Sequence, residues 1–181
     1  MTPTGRDTRL SPETIWEVYV RVRDANRPGA ADDETTPAPE PDLNESPSFW
    51  FAGALWNSTE DQIERFHADG VWINGYDDQY QDLVARIKPG DRIAIKASFV
   101  QKNRLPFDVG GAPVSCMRIK ATGTVTGNRG DGKTVTVDWD PPFAPRDWYF
   151  YTYRTTLVEA DAENEMALKL IDFTFNGAAQ D

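Results

Sequence analysis

Trp72, Asn74, Tyr76 and Tyr80 fall within nine positions of one another, in a segment that also holds Gly70 and Gly75. Flat π-faces beside an amide and phenols suit a planar, polar ligand such as a nucleobase. Tryptophans and tyrosines of a small domain usually belong to its core. Four such groups in a glycine-containing loop cannot all turn inward, which raises the case for a pocket. Other chemistries have less to work with. The single Cys116 and the single His67 give no disulfide, no zinc-type spacing and no pair of cysteine nucleophile and base. No catalytic residue, metal ligand or cofactor is therefore assigned, and His67 reads as a surface helix residue.

The aromatic segment needs neighbouring elements to hold it. Tyr80, Leu83, Val84 and Ile87 recur at the spacing of a helix with one buried stripe. Lys88-Pro-Gly-Asp91 ends that helix, and Arg92 to Lys96 reads as a strand with Ile93 and Ile95 on one face. Upstream, Ser48 to Trp56 is strongly β-prone, and Ser58 or Thr59 is placed to cap a helix that carries Ile63 and Phe66 and ends at Gly70. Downstream, a Gly- and Pro-rich connection from Asn103 to Pro113 precedes strands over 115–126 and 134–140. Residues 147–154 read as helix or strand entering an aromatic region, and 171–175 as a closing strand. The expected class is α+β, a curved and mostly antiparallel sheet with two or three helices.

With 181 residues and 39% hydrophobic content, the chain suits one good core. Residues 48–177 carry it, with a tail at 178–181. Ahead of it, Ser11-Pro-Glu starts a short helix within residues 1–23, with Ile15, Trp16, Tyr19 and Val22 on one side. Residues 24–47 read as an acidic, Pro-rich linker. No apolar run approaches the length of a membrane span or a secretory signal, so a cytoplasmic setting with no membrane partner is expected.

A net charge of −10 argues against nucleic acid until it is mapped along the chain. Seven acids lie between Asp24 and Glu45 against Arg27 alone, whereas eight cations lie between Arg86 and Lys120 against Asp91 and Asp108. Screening limits each patch to about 10 Å at ordinary salt, so a local basic face is compatible with an acidic whole. Lys96, Lys102, Arg104, Arg118 and Lys120 are the candidate phosphate contacts.

Gly127-Asn-Arg-Gly-Asp-Gly-Lys-Thr134 matches the pattern of a phosphate-binding P-loop letter for letter. A true P-loop leads into a helix whose N-terminus holds the phosphates. Here the alternating Thr134-Val-Thr-Val-Asp-Trp139 demands a strand, so the glycines are expected to form a hairpin turn with no nucleotide hydrolysis.

Several runs together resemble a known family: Trp50-Phe-Ala-Gly53, Gly70-Val-Trp-Ile-Asn-Gly-Tyr-Asp-Asp-Gln-Tyr80, Val84-Ala-Arg-Ile-Lys-Pro-Gly-Asp-Arg-Ile-Ala-Ile-Lys96, Leu105-Pro-Phe-Asp108, Gly123-Thr-Val-Thr126, Val137-Asp-Trp139 and Arg146-Asp-Trp-Tyr-Phe-Tyr-Thr-Tyr153. In this order they resemble the N-terminal specificity domain of methylation-dependent restriction GTPases of the McrB type, over about Ser48 to Gly177. Such domains are similar to the EVE and YTH modules of the PUA-like superfamily. The resemblance implies a curved β-barrel that holds a flipped or single-stranded modified base in an aromatic cage, modified cytosine being favoured. It also implies DNA as partner, together with an AAA+ GTPase motor and a nuclease subunit that would supply any enzymatic step. Gly-Val-Trp72 is similar to the YTH segment whose Trp is one cage wall. Trp148 is then the second wall, Trp50, Trp56 or Tyr76 completes the rim, and Asn74 or Asp77 reads a polar edge. Two other readings stand beside this one: a free-standing EVE-like module for RNA or a small nucleotide-like ligand, and an interaction scaffold whose aromatics are all core.

Overall fold

β-Branched and aromatic residues dominate the segments that become strands, as pleated, half-buried surfaces favour. The computed structural model describes residues 46–180, within the unit Pro41–Asp181. The expected helix before residue 24 and the expected linker up to residue 45 lie outside the described residues. The strands are β1 (Phe49–Ala52), β2 (Leu55–Trp56), β3 (Glu60–Asp61), β4 (Val71–Ile73), β5 (Arg92–Gln101), β6 (Val114–Asn128), β7 (Thr134–Trp139), β8 (Arg146–Tyr149) and β9 (Leu157–Glu159). The helices are α1 (Ile63–Asp69), α2 (Gln81–Arg86) and α3 (Glu165–Phe175).

The fold is α+β. A seven-stranded sheet runs β4-β7-β6-β5-β1-β9, with β8 beside the first half of β6, and β2 and β3 form a separate pair. All its ladders are antiparallel except β1–β5, which is parallel and makes the sheet mixed. Edge strands β4 and β9 share no ladder, so the described sheet is open. It nevertheless curls, because the Trp72 indole on β4 donates to Gly53 O just past β1, at 2.9 Å.

Alternation along β1 and β5 sends side chains to two cores. Trp50, Ala52, Ile93 and Ile95 join Phe66 of α1 and Val84 of α2 on one face. Phe51 and Ala94 join Met117, Trp148, and Leu170, Ile171 and Phe173 of α3 on the other.

Asp91, the last residue of the Lys-Pro-Gly-Asp turn, organises the start of this sheet. Its buried carboxylate accepts from Ser48 N at 3.0 Å, from Trp50 Nε1 at 2.9 Å and from Lys88 N at 2.9 Å. One side chain thus satisfies three donors that would otherwise be costly to bury.

Two local expectations are corrected. Residues 171–175 belong to α3, not to a closing strand: Ala167, Leu170, Ile171 and Thr174 form a buried helical stripe, and Asn164 caps the helix through Met166 N and Ala167 N. Helix α1 is not capped by Ser58 or Thr59; Asp61 Oδ1 instead accepts from Ile63 N at 3.1 Å. The helix does end at Gly70, whose φ of 61° is the left-handed geometry glycine adopts readily.

Candidate functional site

The loop between β4 and α2 is shaped by its own polar groups. Asn74 is buried, its amide donates to Gln79 O at 2.7 Å, and its carbonyl accepts from Tyr76 N at 3.2 Å. The β6–β7 turn braces it from outside: Lys133 O accepts from Asn74 N at 2.9 Å, and the Lys133 ammonium pairs with Asp77. This turn is the P-loop lookalike. It joins two antiparallel strands, as expected, and Asp131 Oδ1 accepts from Lys133 N at 2.8 Å and Thr134 N at 2.6 Å. The bond from Thr134 N is the main reason that the Asp131 carboxyl is held below the usual carboxylate range. Asn128 caps the end of α2 by donating to Val84 O and Ile87 O, at 2.7 and 2.9 Å.

So held, the loop presents aromatic groups outward. Tyr76 is 42% exposed and meets Tyr80 edge to face, with ring centroids 5.5 Å apart. Tyr80 itself sits in the left-handed region at φ 65°, a conformation that costs a non-glycine residue about 1–2 kcal/mol and that clusters at functional sites. Half-buried Trp56 lies against Gly75 so closely that a Cβ there would sit 2.7 Å from its ring, so only glycine fits. Trp56 also meets Phe66 edge-on at 6.2 Å, with Arg65 5.5 Å from its ring centroid.

The strand-like segment before β9, which Tyr80 reaches through its hydroxyl, is gripped residue by residue where β1 has ended and β5 continues. Ser98 Oγ donates to Tyr153 O at 2.5 Å, Lys96 Nζ to Thr155 O at 2.6 Å, and Thr156 N to Tyr80 Oη at 3.4 Å. Thr156 O accepts from Gly53 N at 2.7 Å. Lys96 is 6% exposed and has no carboxylate partner among the described residues; burial pulls its ammonium down to about 8. An ammonium has three N–H donors, so two remain for an acceptor brought into the site.

The expected base-binding residues divide sharply. Tyr76 and Asp77 are exposed and Trp56 is half-buried, all at the rim just described. Trp50, Trp72 and Trp148 lie apart from that rim: each is at most 1% exposed and belongs to a core cluster. Trp72 is on strand β4 rather than in a loop, and its indole N–H, like that of Trp50, is used internally. Trp148 packs on Phe173 with centroids 5.1 Å apart. Asn74 shapes the loop with both ends of its amide. The Asp77 carboxylate faces Lys133, whose hydrogen bond and charge hold it below its usual range.

The basic segment is largely neutralised across the sheet. Arg118 makes a two-pronged pair with Asp147 at 2.7 and 2.8 Å, and Lys120 pairs with Asp61 at 2.5 Å. Arg92 pairs with Asp140 at 2.7 Å and Arg86 with Glu159. Of the five expected phosphate contacts, Lys96 is buried and donates to Thr155 O, Arg118 and Lys120 are ion-paired, and Lys102 and Arg104 are exposed with no carboxylate partner among the described residues. The acids responsible lie 29 or more positions away in sequence, so counting charge along the chain could not find them.

Sequence reasoning placed Lys96 among exposed phosphate contacts rather than in a buried position, and gave no part to Thr155 and Thr156. The available signal was Lys96 continuing a run in which Ile93, Ala94 and Ile95 are all apolar. Among the described residues no cluster of His, Cys, Asp or Glu is arranged to hold a metal, and no helix is long and apolar enough to cross a membrane. No family model matches the chain, and no curated protein does.

Proposed function

We propose that this chain is a base-reading nucleic-acid module of the kind found at the N-terminus of McrB-type restriction GTPases, related to EVE and YTH modules. The observation that carries the reading is the pre-formed rim of Trp56, Tyr76 and Tyr80, tied through the Tyr80 hydroxyl and Thr156 to the segment whose Thr155 O accepts from the buried Lys96 ammonium. Extracting a base from a duplex costs a few kcal/mol, and each aromatic wall returns roughly 1–3 kcal/mol by stacking. Two walls offset the extraction; the exposed face of Tyr76, braced edge-on by Tyr80, is one, and half-buried Trp56 is the candidate for the other. Lys96 donates to a carbonyl or ring-nitrogen acceptor of the base. A modifying methyl group adds about 1 kcal/mol by burial, so the polar donor is needed beside it for discrimination.

In this reading the curled sheet is a PUA-like barrel, the bond from the Trp72 indole on β4 to Gly53 O spanning the side that the ladders leave open. The partner is DNA with a modified base, modified cytosine first, and an AAA+ GTPase motor and a nuclease act on what the module has captured. The module itself has no chemical step.

The test is one titration panel: a duplex with a single 5-methylcytosine, the same duplex with 5-hydroxymethylcytosine, with N6-methyladenine and unmodified, and a matched RNA. Tighter binding of one modified duplex supports the reading. Preference for RNA points to a free-standing EVE-like module, and no binding at low salt points to a scaffold.

A further inference from the structure

We propose a second nucleic-acid contact at the far end of the β5–β6 hairpin: a platform on which unpaired bases of a strand stack. It rests on the preceding reading only in taking nucleic acid as the partner; it requires no modified base. Phe150 is 61% exposed and held at φ 71°, a conformation that aromatic side chains rarely adopt. Its backbone N–H is pinned to Ser115 O at 2.8 Å, which fixes where the ring projects. That ring stacks on Phe107 from the hairpin connection, with centroids 5.2 Å apart and planes at 26°, and Tyr149 meets Phe107 edge-on at 5.0 Å.

An exposed cluster of this kind calls for a partner, and its surroundings select one. Lys102 and Arg104 open the connection that carries Phe107, and Arg154 donates to Ser115 Oγ at 2.9 Å beside the Phe150 anchor. None of the three pairs with a carboxylate among the described residues, in a chain whose other basic side chains on β5 and β6 mostly do. The one acid of the connection, Asp108, is exposed and accepts from Gly110 N at 2.8 Å within the same turn, leaving the cations in excess by three to one. Cations unpaired around a stacked aromatic pair match a polymer of alternating phosphates and π-faces, which is how single strands are held without sequence preference. An acidic peptide would use the cations and leave the rings bare.

Fluorescence anisotropy at low salt with a short, labelled, unmodified oligothymidylate, and with an abasic strand of the same length, tests the platform. Wild-type protein should bind oligothymidylate more tightly than the abasic strand. Phe150→Ala should weaken oligothymidylate binding about tenfold while leaving the weak abasic binding unchanged, and Phe150→Trp should restore it. Lys102→Ala with Arg104→Ala should weaken both strands. Equal affinity of wild type for the two strands, or undiminished binding by Phe150→Ala, overturns the proposal. Because no modified base is used, loss of modified-base discrimination in the duplex panel leaves this result untouched, and the converse also holds.

Discussion

Lys96→Met removes the only buried ammonium of the candidate site, and its effect on stability has a definite pH signature. Burial lowers this group from 10.5 to about 8, which corresponds to about 3 kcal/mol of unfavourable desolvation carried by the folded, charged form. Between about pH 8 and 10.5 the unfolded chain binds the proton and the folded one does not, so unfolding free energy rises with pH across that window. Below about pH 8 the cost is fully present; above about 10.5 it is relieved. The variant lacks this titration, while every other group, including Tyr153, whose phenol burial raises, is common to both proteins and cancels in the difference. Urea unfolding followed by tryptophan fluorescence, at intervals from pH 7 to pH 10.5, should show wild type gaining on Lys96→Met by about 3 kcal/mol. At pH 7 the two should be close, because methionine also forfeits the charged hydrogen bond to Thr155 O, itself worth about 1.5–3 kcal/mol. Parallel stability curves at all pH values would refute the assignment of Lys96 as a buried, unpaired ammonium.

Trp72→Ala should cost about 3–5 kcal/mol and lower the urea midpoint accordingly, because it empties a fully buried indole site; a fully stable variant would return Trp72 to the ligand. Replacing Lys102 and Arg104 by alanine should flatten the logarithmic salt dependence of duplex binding by about 2, whereas removing the ion-paired Arg118 should disturb stability first, as urea melts alongside the binding curves will show. Cys116 is wholly buried, and burial, aided by the Asp147 charge and opposed by Arg118, pushes its thiol up to about 11. It should therefore resist a thiol-specific reagent at pH 8 in native protein and react on addition of urea.

What could be seen in the sequence was local. Helix α2 and its stop at Lys88-Pro-Gly-Asp91 followed from a helical stripe and two turn residues, and the hairpin at Gly127–Thr134 from the alternation after it. The α+β class and the aromatic loop of Tyr76 and Tyr80 followed from the same kind of signal. Helix α3 was misread because Ile171, Phe173 and Phe175 alternate when viewed alone, while its helical stripe begins four residues earlier at Ala167. The inward turn of Trp50, Trp72 and Trp148 depended on partners far along the chain: Asp91 for one indole, Gly53 for the next, Phe173 for the last. The neutralisation of Arg92, Arg118 and Lys120 by Asp140, Asp147 and Asp61 is of the same origin. Strand pairing creates such contacts, and no window of sequence contains them.

Capture of an unstacked base is best tested by fluorescence of 2-aminopurine placed opposite a single modified cytosine in a duplex. Saturating wild-type protein should raise the emission as the cytosine leaves the stack, and Tyr76→Ala, which removes an exposed wall without touching the core, should bind with little or no rise. Tight wild-type binding with unchanged emission would contradict base capture at this site.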